Sequence, residues 1–416
     1  MNAPTSPSLL QVAPRFCQPP TSGAEYRCLY LASGLARQMA VTHVGFLPPG
    51  AAVPSFSNWP SHRFVPVPRD GAYRPIDLLR GAVGPMPFSV LNYTRAGMNR
   101  RLAELLVRER FDIAVLEGVQ LGGYLSLLRS AECRPAVVCD WHNVESEILA
   151  RYSQDARGAH RRLYARLAAA RMERYERWFV NQCDMHVVVS ARDRDALVHR
   201  YGATVPVVVI ENGVPLEHFS AVDAQGAPTA RFRVLFSGAM DYHANVEGAR
   251  RFAEEVWPRV RAAVPSAVFT IMGRNPVPAV QALAGMPGVE VTGTVTDVRP
   301  YYRESLVAVV PLYVGGGTRI KILEAMAARV PVVATSLGAE GLAAAPGEHY
   351  RLADSPQEMG EAVIGVLQKP EEAARLASAA REFVARRHDW SVLADELAAN
   401  LLLLRRPLPN NSSRNG

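Results

Sequence analysis

Residues 309–340, VVPLYVGGGTRIKILEAMAARVPVVATSLGAE, restrict the fold of this chain more than any other stretch. An apolar run from Leu306 to Leu312 meets three glycines, a Thr-Arg-Ile-Lys segment, a short helical stretch carrying Glu324, and a second apolar run from Val330 to Ala334. This order is strand, glycine turn, helix, strand, which reads as one βαβ unit. In such a turn glycines let backbone amides approach a ligand closely, and the helix N-terminus adds partial positive charge. Gly315, Gly316, Gly317 and Thr318 therefore suit a phosphate, and Arg319 and Lys321 add charge of the right sign.

A chain of 416 residues is too long for one ordinary core, so two domains of roughly 200 residues each are expected. With 49% hydrophobic and 20% charged residues the composition is that of a soluble globular protein. The net charge of +7, from 46 basic and 39 acidic residues, points to anionic partners: nucleic acid, an anionic membrane surface or phosphorylated metabolites. Cys17, Cys28, Cys133, Cys139 and Cys183 show no CxxC spacing and no companion His cluster, so neither a zinc site nor a disulfide framework is indicated, and a reducing cytosol fits. The opening MNAPTSPSLLQVAP has no basic n-region or long apolar stretch, and no run elsewhere approaches the ~18 residues of a membrane span. A cytoplasmic protein is expected.

Along the chain the same alternation recurs. A short strand at 8–13 precedes a Pro-rich turn ending at Ser22-Gly23, then Leu29, Leu31, Leu35 and Met39 recur at helical spacing before a strand at 41–46. Gly23 reads equally as a ligand-approach glycine or as part of a tight strand-to-helix connection. Residues 48–87, rich in Pro and aromatics, look like a surface excursion with a short strand at 63–67. A helix is expected at 94–110 and a strand at 113–116 that ends in Glu117-Gly118. Another helix at 121–130 leads to a strand at 136–139 that runs into Asp140-Trp141-His142-Asn143. Polar residues at the C-terminal end of a parallel strand face the crevice where α/β proteins bind ligands, so His142 is either a site residue or a hydrogen-bonded structural histidine.

A helix over 157–182 carries Arg157, Arg161, Arg162, Arg166, Arg171, Arg174 and Arg177 among Leu163, Leu167, Met172, Trp178 and Phe179. It suits an anionic membrane surface, or it is the solvated face of an ordinary helix. Asp193-Arg194-Asp195 imitates a DxD metal site, but Ser190 stands at capping-box spacing, so the carboxylates read as a helix start and no metal is expected. After a strand at 207–210 and a small-residue linker the alternation resumes. Strands at 233–236, 268–272 and 289–292 end in Gly238-Ala239-Met240-Asp241, Gly273-Arg274 and Gly293-Thr294-Val295. Helices are expected at 244–263, 298–304, 356–368, 371–386 and 393–404.

No GxGxxG opens a helix after the first strand and no GxxxxGK[ST], GxSxG or HExxH is present, which argues against nicotinamide binding, P-loop chemistry, a hydrolase elbow and a zincin. What remains is an anion site with Glu324 one helical turn beyond Lys321. A carboxylate does not help a pyrophosphate, but it accepts hydrogen bonds from sugar hydroxyls. A ribose diphosphate presents both groups at about that separation.

GGGTRIKILEAMAARVPVVAT, FSGAMDYHANVEG, VTGTVTDVRPYY, DWHNVESEI and VIENGV together resemble the family 4 retaining glycosyltransferases of GT-B fold, closest to the branch of bacterial exopolysaccharide clusters. The resemblance implies an α/β chain of two Rossmann-like doubly wound domains facing a cleft. Residues 1–220 would be the acceptor side, 221–232 a linker, 233–388 the nucleotide-sugar donor side, 389–406 a helix packing back on the first domain, and 407–416 a disordered tail. It implies sugar transfer from a nucleoside diphosphate donor to a glycan or lipid-linked acceptor with retention, without metal or other cofactor and without nucleic acid.

Glu324 matches the second Glu of the family's E-x7-E motif, similar to a clamp on the donor ribose. The first Glu would fall at Gly316 and is missing. Gly238–Asp241 also lacks the Arg and Lys that the family often places on the diphosphate, so Arg319 and Lys321, with Arg274 as a third cation, are expected to supply that charge. His142 matches a strand-end histidine beside the donor sugar, Gly23 the glycine loop that approaches the diphosphate, and Gly293, Thr294 and Val295 the base-contacting loop. Two alternatives stay open: a nucleotide-sugar epimerase, which shares the two-domain architecture, and a non-catalytic scaffold of a polysaccharide assembly complex, to which the missing Glu and Gly-Arg give weight. A lipid-linked acceptor at the inner membrane face would suit the basic helix.

Overall fold

The structure, a computed structural model, describes residues 6–15, 22–47, 62–69, 76–77, 80–81, 84–155, 158–220, 232–314 and 320–404. The glycine turn Gly315, Gly316, Gly317, Thr318 and Arg319 lies outside the described residues, as do Arg157, residues 221–231, most of 48–87, and the tail. The chain forms two compact units, Met1–Glu211 with Leu393–Gly416, and Asn212–Val392. Helix Trp390–Leu403 starts in the second unit, and its body belongs to the first.

The first unit is a seven-stranded sheet of β1 (Ser8–Ala13), β2 (Ala40–Leu47), β3 (His62–Pro68), β4 (Ile113–Glu117), β5 (Ala136–Trp141), β6 (Met185–Val188) and β7 (Val207–Val209), in spatial order β3-β2-β1-β4-β5-β6-β7. Every pair is parallel. The strands are near-continuous apolar runs because helices cover both faces of the sheet, and β4 and β5 are buried along their whole lengths. Its longer helices include α1 (Gly23–Leu35), α2 (Ala96–Arg108), α3 (Glu145–Asp155) and α4 (Ala159–Phe179). Ser22 caps α1 by accepting from the Glu25 amide at 3.4 Å, and Ser190 likewise accepts from the Asp193 amide at 3.1 Å. Asp193 thus sits in the first turn of a capped helix.

The second unit is a six-stranded parallel sheet of β8 (Phe232–Ser237), β9 (Ala267–Met272), β10 (Val289–Gly293), β11 (Ser305–Val310), β12 (Val332–Ala334) and β13 (Arg351–Leu352), in order β10-β9-β8-β11-β12-β13. Around it lie α5 (His243–Arg251), α6 (Arg299–Arg303), α7 (Ile320–Ala327), α8 (Pro356–Gln368) and α9 (Pro370–Arg387). Both sheets reverse their winding, between β1 and β4 in one and between β8 and β11 in the other. That reversal opens a crevice at the C-terminal strand ends.

The two-domain Rossmann-like class expected from the alternation is what the chain forms. Local departures have identifiable causes. The helix expected at 244–263 widens into a π turn at Phe252–Val256 before restarting at Trp257, because Pro258 has no N–H and its ring crowds the carbonyl four residues earlier. The helix expected at 121–130 begins instead as a 3-10 turn at Val119–Tyr124. There a Cβ on Gly122 would lie 2.3 Å from the Tyr175 hydroxyl, so only glycine fits against α4.

One polar contact ties the first unit together. The Arg27 guanidinium on α1 takes both oxygens of Asp140 on β5, at 2.8 and 3.0 Å, and donates to the carbonyls of Ile210 and Glu211 at 2.8 and 3.0 Å. Both side chains are buried, at 1% and 3% exposure. Asp140→Ala leaves the guanidinium buried and uncompensated, so a loss of roughly 3–5 kcal/mol is expected in urea unfolding.

Candidate functional site

In the second unit the strand ends β8, β9 and β10 and the helix α7 bring polar groups to the point of reversal. Gly238 follows β8 at φ +154°, and its amide donates to the Met272 carbonyl at 2.9 Å. A Cβ there would meet Asn245 Nδ2 at 2.7 Å and Lys321 Nζ at 2.9 Å, and a Cβ on Gly273 would strike the Gly238 carbonyl. The two glycines therefore let the β8 and β9 turns lie backbone to backbone, with Lys321 beside them. Lys321 Nζ donates to Asn245 Oδ1 at 2.6 Å and lies 4.6 Å from the centre of the Phe236 ring, while Asn245 Nδ2 holds the Ala239 carbonyl at 2.9 Å. The ammonium thus stands against the Gly238 turn, the stretch that has no cation of its own.

Glu324 lies one helical turn beyond Lys321 on the same face of α7. Its Oε2 accepts from the Tyr302 hydroxyl at 3.0 Å, and Ser237 Oγ donates in turn to that hydroxyl at 3.1 Å. Burial pushes the Glu324 carboxyl up to about 7, against the opposing pull of the Tyr302 hydrogen bond and the Lys321 charge. Arg274 is held at the mouth of the turn, its carbonyl accepting from the Met240 amide at 2.9 Å, with its side chain exposed. Gly293 accepts from the Gly273 amide at 3.2 Å, which sets Thr294, exposed, and Val295, packed on the core, at the end of β10. Asn245 and Tyr302 were not singled out from sequence, although both lie in motifs that were. Their only signal was a polar residue inside a motif.

In the first unit His142 follows β5, and its Nε2 lies 2.8 Å from Glu117 Oε2 at the end of β4. Gln11 Nε2 donates to the other Glu117 oxygen at 2.6 Å and to the Cys28 carbonyl at 3.1 Å, and Gln11 Oε1 accepts from His43 Nδ1 at 2.7 Å. Sheet register makes the row, with Gln11 opposite His43 and Glu117 opposite Asp140. Gln11, His43 and Glu117 are buried, whereas the His142 side chain keeps 13% exposure and is the open end of the chain. Burial, helped by His62, holds His43 down to about 3, which keeps it neutral and donating from Nδ1. Burial also pulls His142 down, but the Glu117 hydrogen bond and the Asp140 and Glu117 charges outweigh it. The imidazole rests above its ordinary 6.5.

Glu117, Asp140 and His142 offer ligand atoms within 4.8 Å of one another, the ligand types of a divalent-cation site. Arg27 already supplies a cation to both Asp140 oxygens, which opposes a second one there. Gly23 stands at the first position of α1, directly after the Ser22 cap.

The fold and these two polar strand-end clusters define a doubly wound two-unit protein with ligand groups at each sheet reversal. Residues 21–218 match the model of Glycosyltransferase Family 4, and residues 231–369 match that of the group 1 glycosyl transferases. The chain is a glycosyltransferase of the GT-B fold. Solved structures of similar fold include a sucrose-phosphate synthase from Thermosynechococcus elongatus (18% identity, 95% of this chain and 99% of that one, TM-score 0.71). Two others are Anabaena HepE in complex with UDP and glucose (14%, 94% and 99%, 0.60) and the E. coli trehalose-6-phosphate structure bound with UDP-2-fluoro glucose (14%, 95% and 98%, 0.62). A search of curated proteins found no match.

Because burial, the largest influence, and the Arg27 charge both depress His142 while Glu117 raises it, Glu117→Gln is expected to drop its pKa from above 6.5 to below it. NMR titration of the His142 ring protons checks this, and an unchanged value would refute the role given to Glu117.

Proposed function

We propose that the protein transfers a hexosyl unit from a nucleoside diphosphate sugar to a glycan or lipid-linked acceptor, with retention and without a metal ion, in polysaccharide biosynthesis. The observation that carries this reading is the pairing on α7 of a fixed ammonium, Lys321, with a partly buried hydroxyl acceptor, Glu324, at the reversal of the second sheet. An ammonium serves a diphosphate and a carboxylate serves the ribose hydroxyls. The UDP and UDP-sugar ligands of the similar structures support a donor of the same class.

In the reaction the acceptor hydroxyl oxygen forms a bond to the anomeric carbon on the face from which the diphosphate departs. The bond between that carbon and the diphosphate oxygen breaks, its electron pair leaving with the nucleoside diphosphate. A diphosphate oxygen takes the acceptor proton. Charge gathers on the leaving group, and Lys321 with Arg319 stabilises it, Arg274 being a third cation of the same site. His142, held by Glu117, donates a hydrogen bond to a hydroxyl of the transferred sugar. Gly23 lets backbone approach the diphosphate, and Thr294 and Val295 contact the base.

Mass-spectrometric readout of products from a panel of nucleotide sugars tests the assignment. Transfer with loss of the nucleoside diphosphate is expected, whereas interconversion of donors without acceptor would identify an epimerase, and no donor binding a scaffold. Lys321→Ala and Arg319→Ala should each lower kcat on the order of a hundredfold with unchanged circular dichroism.

With Glu324 titrating at about 7, protonation removes a hydrogen-bond acceptor, so donor KM should rise as pH falls through 7. Glu324→Gln should raise KM on the order of tenfold or more and flatten that pH dependence. A wild-type KM that is level between pH 8 and pH 6 would count against the ribose contact (about one unit either side of the Glu324 value).

A further inference from the structure

We infer that the outward face of α4, with the adjoining end of α3, is a docking surface for an anionic phospholipid bilayer. Helix α4 buries Ala165, Ala169, Met172, Tyr175 and Phe179 against the first unit's core. At 100° per residue this turns Leu163, Leu167, Arg174 and Trp178 to the opposite side, at spacings i, i+4, i+11 and i+15. Leu163, Tyr164, Leu167 and Trp178 are 60%, 55%, 51% and 49% exposed, and Ile148 and Tyr152 on α3 are 43% and 55% exposed. Large apolar side chains this open, grouped on one helix pair, exceed the scattered exposure of an ordinary surface.

The arginines give this face its charge. Arg166, Arg171 and Arg174 lie on or beside this face and make no side-chain hydrogen bond or ion pair among the described residues, whereas Arg177 pairs with Glu173 at 3.2 Å. Other helical arginines are of both kinds. Arg250 pairs with Glu247 at 2.9 Å, Arg251 with Glu255 at 3.1 Å and Arg386 with Glu382 at 3.1 Å, whereas Arg100, Arg108, Arg303 and Arg375 are exposed without such a partner among the described residues, so what marks α4 is the company of exposed leucines and aromatic rings. Unmatched guanidinium groups flanking exposed leucines and aromatic rings suit a headgroup layer, where phosphates meet the arginines, Tyr and Trp sit at the interface, and the leucines reach the acyl boundary. A nucleic acid backbone would use the arginines but leave Leu163 and Leu167 against phosphate. Among the described residues no helix is long and apolar enough to cross a membrane, so the contact is peripheral.

The surface also adjoins the site. Helix α3 opens at Glu145, two residues past Asn143, and the Ser146 amide donates to Glu176 on α4 at 3.3 Å. The use of such a surface rests on the reading of a lipid-linked acceptor. Its existence does not, since vesicle binding is read without donor or acceptor.

Co-sedimentation of the full chain with phosphatidylcholine vesicles, with and without phosphatidylglycerol, provides the test. Binding is expected only to the anionic vesicles and should weaken with salt. Arg166→Gln with Arg174→Gln should lower partitioning about twentyfold, and Leu163→Gln with Leu167→Gln about tenfold. The paired arginines serve as control, because Arg250→Gln with Arg251→Gln should leave binding unchanged. Titration of donor in every variant should match wild type, which separates a failed surface from a failed enzyme. Absence of binding to anionic vesicles at low salt, equal loss in the control variant, or tighter binding to single-stranded RNA at the same salt would each overturn the inference.

Discussion

The first unit depends on a charge pair that is almost wholly out of water. Arg27 reaches from α1 across the sheet to Asp140, and its remaining donors close on the carbonyls of Ile210 and Glu211. A buried ion pair is tolerated only when its hydrogen-bonding groups find partners, and this one meets that condition with groups from three distant parts of the chain. Asp140 stands opposite Glu117 in the β4–β5 register. Because Arg27 occupies Asp140, Glu117 is the carboxylate left to face His142. The same contact that locks the helix to the sheet thus decides which acid orients the histidine.

The two units solve a similar problem with different parts. In the first, a row of strand residues, His43, Gln11 and Glu117, runs through the sheet to one partly open imidazole. In the second, the strands end in glycines that clear space, and the charged groups come from α7, braced by Asn245 from α5 and Tyr302 from α6. Each unit therefore presents a titratable group shifted by its surroundings. His142 is raised above its ordinary value by neighbouring carboxylates, and Glu324 is lifted to about 7 by burial.

Much of the fold was legible because buried parallel strands leave an apolar run, and Gly, Ser and Pro mark where each run gives way to a helix. Ser22, Ser190 and Ser355 all cap helices where the pattern begins. The breaks in regularity were harder to read. Pro258 looked compatible with one long helix until its crowding of the preceding turn widened that helix, and Gly122 read as part of an ordinary helix from 121, whereas Tyr175 and Phe179 pack over it in a 3-10 turn. At the site, His142, Lys321 and Glu324 stood out as charged or titratable residues next to glycine turns or at a strand end. Gln11, Glu117, Asn245 and Tyr302 did not, because nothing local separates them from other polar residues.

The sequence alone determined the alternation of strands and helices, the strand-end positions of the polar residues and the excess of arginine on one helix, because hydrophobic periodicity and residue chemistry are local properties of the chain. Only the tertiary structure decided which of these residues meet. It set Gln11 beside His43 and Glu117 through sheet register, brought Lys321 against the Gly238 turn through helix packing, and left Arg166, Arg171 and Arg174 of α4 without carboxylate partners beside exposed leucines. Those pairings depend on contacts between segments far apart in the chain, whose geometry is fixed when the sheets assemble and the helices settle on them.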